Sequence, residues 1–244
     1  MTPTTLRLAL ASLSLITLPC LSEPLLWGYS PSDPPPYVQL QGNELQPSLT
    51  RTIGEAVADA TGREVHFIAT PNNRIDESLA IGRIHIICNT LPDWLSAPEQ
   101  LLWTQSLYED ADVVITRQAQ PAPNSLDELQ GAIVGTTLGY HYSPAITAAF
   151  DQQAMTRHDV RDLPTRLKML ERERLDAVID LRRAVTHVLP ENQSTFHISQ
   201  WEVEHFSLRC AVANPTELDH QKLVQQIDEM INTGQIQEIV TRFD

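Results

Sequence analysis

The sequence lacks the motifs of the common hydrolases and nucleotide-using enzymes. It has no G-x-S-x-G, no H-E-x-x-H and no phosphate-binding P-loop. Its histidines do not follow a metal-ligand spacing; those considered are His85, His141, His187, His197 and His205. We therefore predict a protein that is not an enzyme, with neither a cofactor nor a metal.

Basic residues are also scarce. The 244-residue chain has 17 lysines and arginines against 31 acidic residues, for a formal net charge of −14. A surface of that sign argues against nucleic acid and against anionic membranes as partners. After the N-terminus no segment approaches the roughly 18 consecutive apolar residues of a membrane span. We expect an exported protein that is not integral to the membrane.

The first 22 residues have the features of a secretory signal peptide. Arg7 precedes an apolar run from Leu8 to Leu18, and small residues follow near Ser22, where cleavage is expected. Loss of Arg7 brings the formal charge to −15. The alternative, lipid attachment at Cys20, fits poorly because proline precedes that cysteine. The interpretation predicts a periplasmic protein.

Only two of the three cysteines remain after such cleavage, Cys88 and Cys210. An even pair in an exported protein favours a disulfide. The alternative is two buried free thiols, because cysteine is among the most buried residue types. The residues alone leave both possibilities open.

Strand and helix patterns alternate along the mature chain. The apolar periodicity at residues 49–60 is helical, and Gly62 follows it. The order predicts parallel sheets with helical crossovers. Strands are predicted at 25–29, 64–69, 84–89, 113–116, 132–136, 157–160, 176–180 and 205–213, and helices at 49–60, 72–79, 144–150, 164–172 and 218–243.

The stretch from Ser125 to Tyr142 indicates a binding cleft. A short polar helix ends at Gly131, a strand follows, and Gly139 precedes Tyr140, His141 and Tyr142. A strand that passes through glycine into a helix start presents backbone N–H groups at the sheet edge, where ligands bind in open α/β sheets. The aromatic side chains add stacking surface rather than catalytic groups.

Several segments, in order, resemble the periplasmic solute-binding proteins of the polar amino-acid family. They are Trp103–Tyr108 (WTQSLY), Leu126–Val134 (LDELQGAIV), Leu175–Asp180 (LDAVID) and the ending GQIQEIVTRF. The resemblance spans nearly the whole mature chain. It implies an α/β, two-lobed type II periplasmic-binding fold, with a mostly parallel sheet flanked by helices in each lobe and a two-strand hinge. Residues 23–114 and 203–244 would form lobe one, and residues 115–202 lobe two.

The chain departs from the family where the ligand's carboxylate is normally held. Family members place an arginine after the third strand of lobe one, whereas this chain reads CNTLPDWL from Cys88 to Leu95. His85 also stands where an aspartate is usual. Arg74 is a candidate to replace that arginine and bind the ligand's carboxylate. The equally weighted alternative is that Arg74 is a solvent-exposed helix residue.

The resemblance and the loop positions together give a candidate ligand site. Asp180 lies where the family receives a ligand ammonium; the alternatives are a helix cap or neutralisation by Arg182 or Arg183. The turn from Gly139 to Tyr142 would contribute backbone N–H groups for an anion, and Tyr140 or Tyr142 a wall; the alternative is that one tyrosine packs under the lobe and only the turn is functional. The full set is Tyr37, Arg74, Asn89, Trp94, Gly139, Tyr140, His141, Tyr142 and Asp180.

In this fold the strand that returns to lobe one lies antiparallel beside the third strand, which would bring Cys88 and Cys210 together. The expected function is capture of a small polar, amino-acid-like or amine-containing ligand by hinge closure, with an ABC permease as a partner and a monomeric state. The alternatives are a dehydratase-like enzyme on the same fold and a sensory or orphan binding module.

Overall fold

The computed structural model describes residues 23–189, 195–213 and 218–243. The predicted signal peptide, with its cleavage point and Cys20, lies outside these residues. The strands are β1 (Leu25–Tyr29), β2 (Leu40–Gln41), β3 (Glu44–Leu45), β4 (Val65–Ala69), β5 (Ile86–Thr90), β6 (Leu102–Trp103), β7 (Tyr108–Arg117), β8 (Ile133–Thr137), β9 (Thr156–Val160), β10 (Ala177–Leu181) and β11 (Phe196–Val212).

The helices flank these strands and follow the predicted order. They are α1 (Leu49–Thr61), α2 (Ile75–Ala80), α3 (Pro144–Asp151), α4 (Leu163–Glu171), α5 (Arg182–Val188), α6 (Leu218–Asn232) and α7 (Gln235–Val240). Among the described residues, no helix is both long enough and apolar enough to cross a bilayer.

The main sheet has the strand order β4-β1-β5-β11-β7-β10-β8-β9, with β6 also paired to β11. In the first half, β1 is parallel to β4 and to β5, and β11 returns antiparallel to β5. In the second half, β8 is parallel to β9 and β10, and β10 is antiparallel to β7. This is the predicted α/β arrangement of two mostly parallel sheets flanked by helices.

Two long antiparallel strands, β7 and β11, connect the halves. They pair from Leu208 opposite Tyr108 to Phe196 opposite Arg117, with register shifts between Ile198 and Glu204. Such shifts bend a strand pair and weaken its ladder locally, as a hinge requires. The two-strand hinge is confirmed, while the lobe limits at 114/115 and 202/203 stay predictions.

Helix α1 shows why local prediction succeeds here. The Ser48 hydroxyl accepts from the Arg51 N–H at its start, and Gly62 ends it with φ +62°, a left-handed conformation that glycine adopts without strain. Its apolar face, which includes Ile53 and Val57, is fully buried. Sequence periodicity and capping therefore agree with tertiary packing.

The differences from prediction lie at the hinge and in the loops. Strands β7 and β11 are much longer than the predicted 113–116 and 205–213. Strand β7 is buried almost throughout, including its Asp110 and Asp112, and β11 has irregularly spaced exposed polar residues, so neither strand shows a period-two pattern. Residues 72–79 begin as a short 3-10 turn before α2. The hairpin β2–β3 was not predicted.

A disulfide joins Cys88 of β5 to Cys210 of β11, as predicted. Both cysteines are buried in an extended core cluster, together with the fully buried Trp27; this cluster continues into the second half through Leu163 and Val178. A separate core cluster, which includes Val134, Ile146 and Ile179, lies in the second half. Each half therefore has an apolar core that can support its side of a cleft.

Candidate functional site

A cavity of about 60 Å³ lies between the two halves. Two contacts close over it from opposite sides: the rings of Trp94 and Tyr140 meet edge-on at 5.1 Å, and the ideal Cβ position at Gly139 lies 3.6 Å from Asn72 Cβ. Six of the nine predicted site residues line it, namely Tyr37, Asn89, Trp94, Gly139, Tyr140 and His141. The halves therefore stand in a closed arrangement.

Aromatic side chains from both halves form one wall. Trp94 lies between Tyr140 and Phe206, with ring centroids 5.1 and 5.2 Å away. Tyr140 in turn packs on Tyr142 at 4.9 Å. Trp94 is placed by a 3-10 turn that Pro92 begins, directly after β5. The loop aromatics predicted from sequence are therefore brought together.

Asn89 anchors the opposite side. It has φ +57° where the pairing of β5 with β11 shifts register, and asparagine tolerates this left-handed conformation better than most residues. Its amide donates to Thr50 Oγ1 at 3.0 Å and its carbonyl accepts from the Tyr108 hydroxyl. Tyr108 stacks on Tyr37. A strained residue thus holds the tyrosine pair at the cleft.

Asp33 lines the cavity and is the functional candidate that sequence reasoning missed. It follows Ser30 in the proline-rich loop after β1. Burial raises the pKa of Asp33 to about 7, opposed by a hydrogen bond from Ser30 and reinforced by the charge of Asp180. A signal was present: a lone carboxylate on a loop at the carboxyl end of a strand.

Asp180 is buried at the end of β10, and its two carboxylate oxygens are engaged. Arg166, fully buried on α4, donates to Oδ2 at 2.6 Å, and the Leu181 N–H donates to Oδ1 at 2.8 Å. Burial raises the pKa of Asp180, and the Arg166 guanidinium opposes that rise. Sequence reasoning named Arg182 and Arg183 as neutralising groups; the ion-pair partner is instead Arg166.

The remaining predicted residues have other surroundings. Tyr142 is buried in the second core, and its hydroxyl accepts from the Thr137 N–H at 2.9 Å. Arg74 is exposed and His141 is exposed at the cavity. The Tyr140 N–H, expected to face an anion, donates to the Thr137 carbonyl at 3.2 Å. The ligand-contact assignments of all nine residues stay predictions.

Further acidic groups surround the cleft. Asp112 of β7 is 1% exposed, and neither of its carboxylate oxygens has a hydrogen-bond partner among the described residues. Burial, with the nearby Asp180, Glu204 and Asp110, raises the pKa of Asp112 well above its ordinary value. Burial raises the pKa of Glu204 as well, with Asp93 adding to it. Acidic side chains are therefore concentrated at this end of the hinge, and burial favours their neutral forms.

Comparison with solved structures extends over nearly the whole chain. An ancestral arginine-binding protein bound to arginine is similar at TM-score 0.76 and 17% identity, over 91% of this chain and 99% of the other. The chain has the type II periplasmic-binding fold. The predicted resemblance to solute-binding proteins is confirmed at the level of the fold.

Two further structures have the same fold. The substrate-binding protein of an amino-acid ABC transporter matches at TM-score 0.69 and 17% identity, over 90% of this chain and 98% of the other. An ancestral amino-acid-binding protein that is a precursor of cyclohexadienyl dehydratase matches at 0.70 and 13%, over 90% and 94%. No protein-family model matches the sequence, and no curated protein matches it.

Proposed function

We propose that this protein is an exported solute-binding protein that captures a small polar ligand by closing its two lobes. The observation that carries the proposal is the cavity between the halves with aromatic contacts from both lobes, above all Trp94 against Tyr140. Ligand contacts with both lobes favour the closed state over the open one. The proposed lobes are residues 23–114 with 203–244, and residues 115–202.

The proposed location and partner follow from the N-terminus and the relatives. A signal peptide over residues 1–22 would deliver the chain to the periplasm, where a monomer would carry its ligand to an ABC permease. Support comes from the likeness to an amino-acid ABC transporter's binding protein. The amino-acid ligands of the relatives make an amine-containing ligand the leading class for this chain.

A reversible crosslink tests the closure. The ideal Cβ of Gly139 lies 3.6 Å from Asn72 Cβ, within the separation that disulfides require. The variant Asn72→Cys with Gly139→Cys, purified from residue 23 onward, is oxidised without ligand and screened by thermal shift against amino acids, amines and small carboxylates. The oxidised form should respond to none, and the reduced form should respond as the wild type does in the same reductant, which also reduces the Cys88–Cys210 bond.

Each single cysteine variant serves as the control for the substitution itself, because neither can lock the lobes. Equal ligand responses from the oxidised and reduced double variant would contradict closure as the route to binding. A wild type that responds to no small molecule would favour an interaction module with an unused cleft.

An enzyme is the second candidate, and Asp33 is the observation that favours it. A carboxyl group with a pKa near 7 in a cleft can act as a general acid. One relative is a precursor of a dehydratase. Turnover of prephenate by the purified chain, lost in Asp33→Asn, would establish an enzyme; stabilisation by an unchanged ligand would establish binding.

A further inference from the structure

The cavity lining carries negative charge but no permanent positive charge. Among the described residues that line it, Asp33 is a carboxylate and none is an arginine or lysine. His141 also lines the cavity, and it is exposed. A ligand carboxylate would therefore meet a like charge without a guanidinium or ammonium to pair with it, which is unfavourable in a closed cleft.

The buried arginines nearest the cleft are already engaged. Arg166 donates to Asp180 and to the Ile179 carbonyl. The Arg183 guanidinium lies 5.2 Å from the Tyr108 ring centroid, with its Nε 3.9 Å from Asp110. Recruiting Arg166 would strip a buried aspartate of its counter-ion. The carboxylate clamp missing from the sequence is thus not replaced by a guanidinium in the cavity lining.

Phenol hydroxyls both accept and donate hydrogen bonds, so the free polar atoms of the lining are compatible with a cation and do not by themselves select it. Among the described residues, the phenol oxygens of Tyr37 and Tyr140 are buried and have no hydrogen-bond partner. Both residues line the cavity beside Asp33. Ammonium and guanidinium groups have only donors. A cation can therefore satisfy both phenol oxygens and the carboxylate at once.

The aromatic wall favours the same ligand. Trp94, Tyr37 and Tyr140 present rings to the cavity, and ring faces attract cations. Outside the lining, burial raises the pKa of Asp112 and Glu204 and favours their neutral forms, whereas a nearby bound cation would favour their ionised forms.

We propose that the cleft selects small organic cations without a carboxylate, amines or guanidines, with Asp33 as their counter-ion and Trp94, Tyr37 and Tyr140 as the surrounding rings. This inference rests on the proposed solute-binding function and narrows it. It assigns to Asp33 the ammonium-binding role that the sequence alone suggested for Asp180.

Matched probe pairs test the selection by calorimetry at pH 8. Agmatine and L-arginine differ by the α-carboxylate, as do 1,5-diaminopentane and L-lysine; glutarate carries carboxylates alone. Each decarboxylated cation should bind at least about tenfold more tightly than its parent amino acid, because the parent leaves a charged group unpaired. Glutarate should not bind.

Charge-matched variants locate the counter-ion. Asp33→Asn should weaken agmatine binding at least about tenfold, because it removes a charge-assisted contact. Asp59→Asn removes the same charge from the exposed face of α1 and should leave the affinity unchanged. Trp94→Leu should weaken binding as well, whereas Trp201→Leu, in the second core cluster, should not.

The outcomes separate the inference from the broader function. Tighter binding of L-arginine than of agmatine, or binding of glutarate, would overturn cation selection and leave solute binding standing. An unchanged agmatine affinity in Asp33→Asn would overturn the counter-ion assignment. Absence of binding for all five probes would overturn the inference, and the wider thermal-shift screen of the crosslinked variant decides solute binding independently.

Discussion

The two lobes each bring an aspartate towards the cleft, and the two aspartates differ in what surrounds them. Asp180 of lobe two has a buried guanidinium at 2.6 Å and a backbone N–H at 2.8 Å. Asp33 of lobe one lines the cavity, and no salt bridge to it is formed among the described residues. Asp180 therefore has its counter-ion within the protein, whereas Asp33 has none among the described residues.

The difference teaches that a carboxylate at the expected strand end does not by itself mark a ligand contact. Burial raises the pKa of both groups. Arg166 opposes that rise at Asp180, while a hydroxyl is the main opposing group at Asp33. A perturbed carboxylate without a cation, in a cavity, is the better candidate for function.

The largest effect should come from breaking the ion pair of lobe two. Arg166→Met leaves Asp180 buried without its counter-ion and should lower the free energy of unfolding by about 3–5 kcal/mol, measured by urea denaturation. The double variant Arg166→Met with Asp180→Leu should recover most of the loss, because apolar pairs replace buried ion pairs at little cost. A loss below about 1 kcal/mol in the single variant would contradict the pairing.

Lobe one is held by a covalent link instead, and its removal should have the next largest effect. Cys88→Ser with Cys210→Ser opens a link across 122 residues and should lower the free energy of unfolding by about 2–4 kcal/mol. The wild type in reductant serves as the comparison for the substitutions. Alkylation of two thiols in the unreduced wild type would show that the bond does not form.

The fold was largely predictable because its signals are local. The cap at Ser48, the glycine at 62 and the alternation of apolar strands with amphipathic helices gave most elements and their order. The hinge strands were underestimated, because β7 is buried almost throughout and β11 has irregularly spaced exposed residues and register shifts between Ile198 and Glu204. The disulfide was predicted through the family resemblance, which implied that the strands carrying Cys88 and Cys210 are neighbours, as β5 and β11 are.

The site was less predictable because its partners are distant in sequence. Arg166 and Asp180 lie on α4 and β10, and an arginine inside an amphipathic helix gives no sign that it is fully buried. Asp33 was hidden among prolines that suggest only a loop. Trp94 was expected on a loop, but its meeting with Tyr140 depends on how the lobes close.

Removing the charge of Asp33 should stabilise the protein, whereas breaking the Arg166–Asp180 ion pair should destabilise it. The pKa of Asp33 is raised in the folded chain, so its ionised form opposes folding, and stability falls as pH rises from about 4 to about 7. Asp33→Asn should therefore raise the free energy of unfolding at pH 8 by about 1–2 kcal/mol and leave it unchanged near pH 4. A lower free energy of unfolding for Asp33→Asn than for the wild type at pH 8 would contradict the predicted difference between the two aspartates.

The smallest expected effect is on ligand affinity, and it tests the same difference between Asp33 and Asp180. The groups that face Asp33 are the Ser30 hydroxyl, the Asp180 carboxylate and the phenols of Tyr108 and Tyr140, with His141 also on the cavity lining. A bound cation favours the ionised carboxylate and lowers the pKa of Asp33, so binding releases a proton at pH values below about 7. Agmatine keeps its charge over this range.

We therefore expect agmatine affinity to fall about tenfold from pH 8 to pH 6, as Asp33 becomes protonated. Calorimetry in two buffers of different ionisation enthalpy would detect the released proton. His141 also lines the cavity, so His141→Gln serves as the control for the assignment to Asp33. If Asp33 is responsible, His141→Gln keeps the slope and Asp33→Asn removes it; the reverse result would place the titrating group in lobe two.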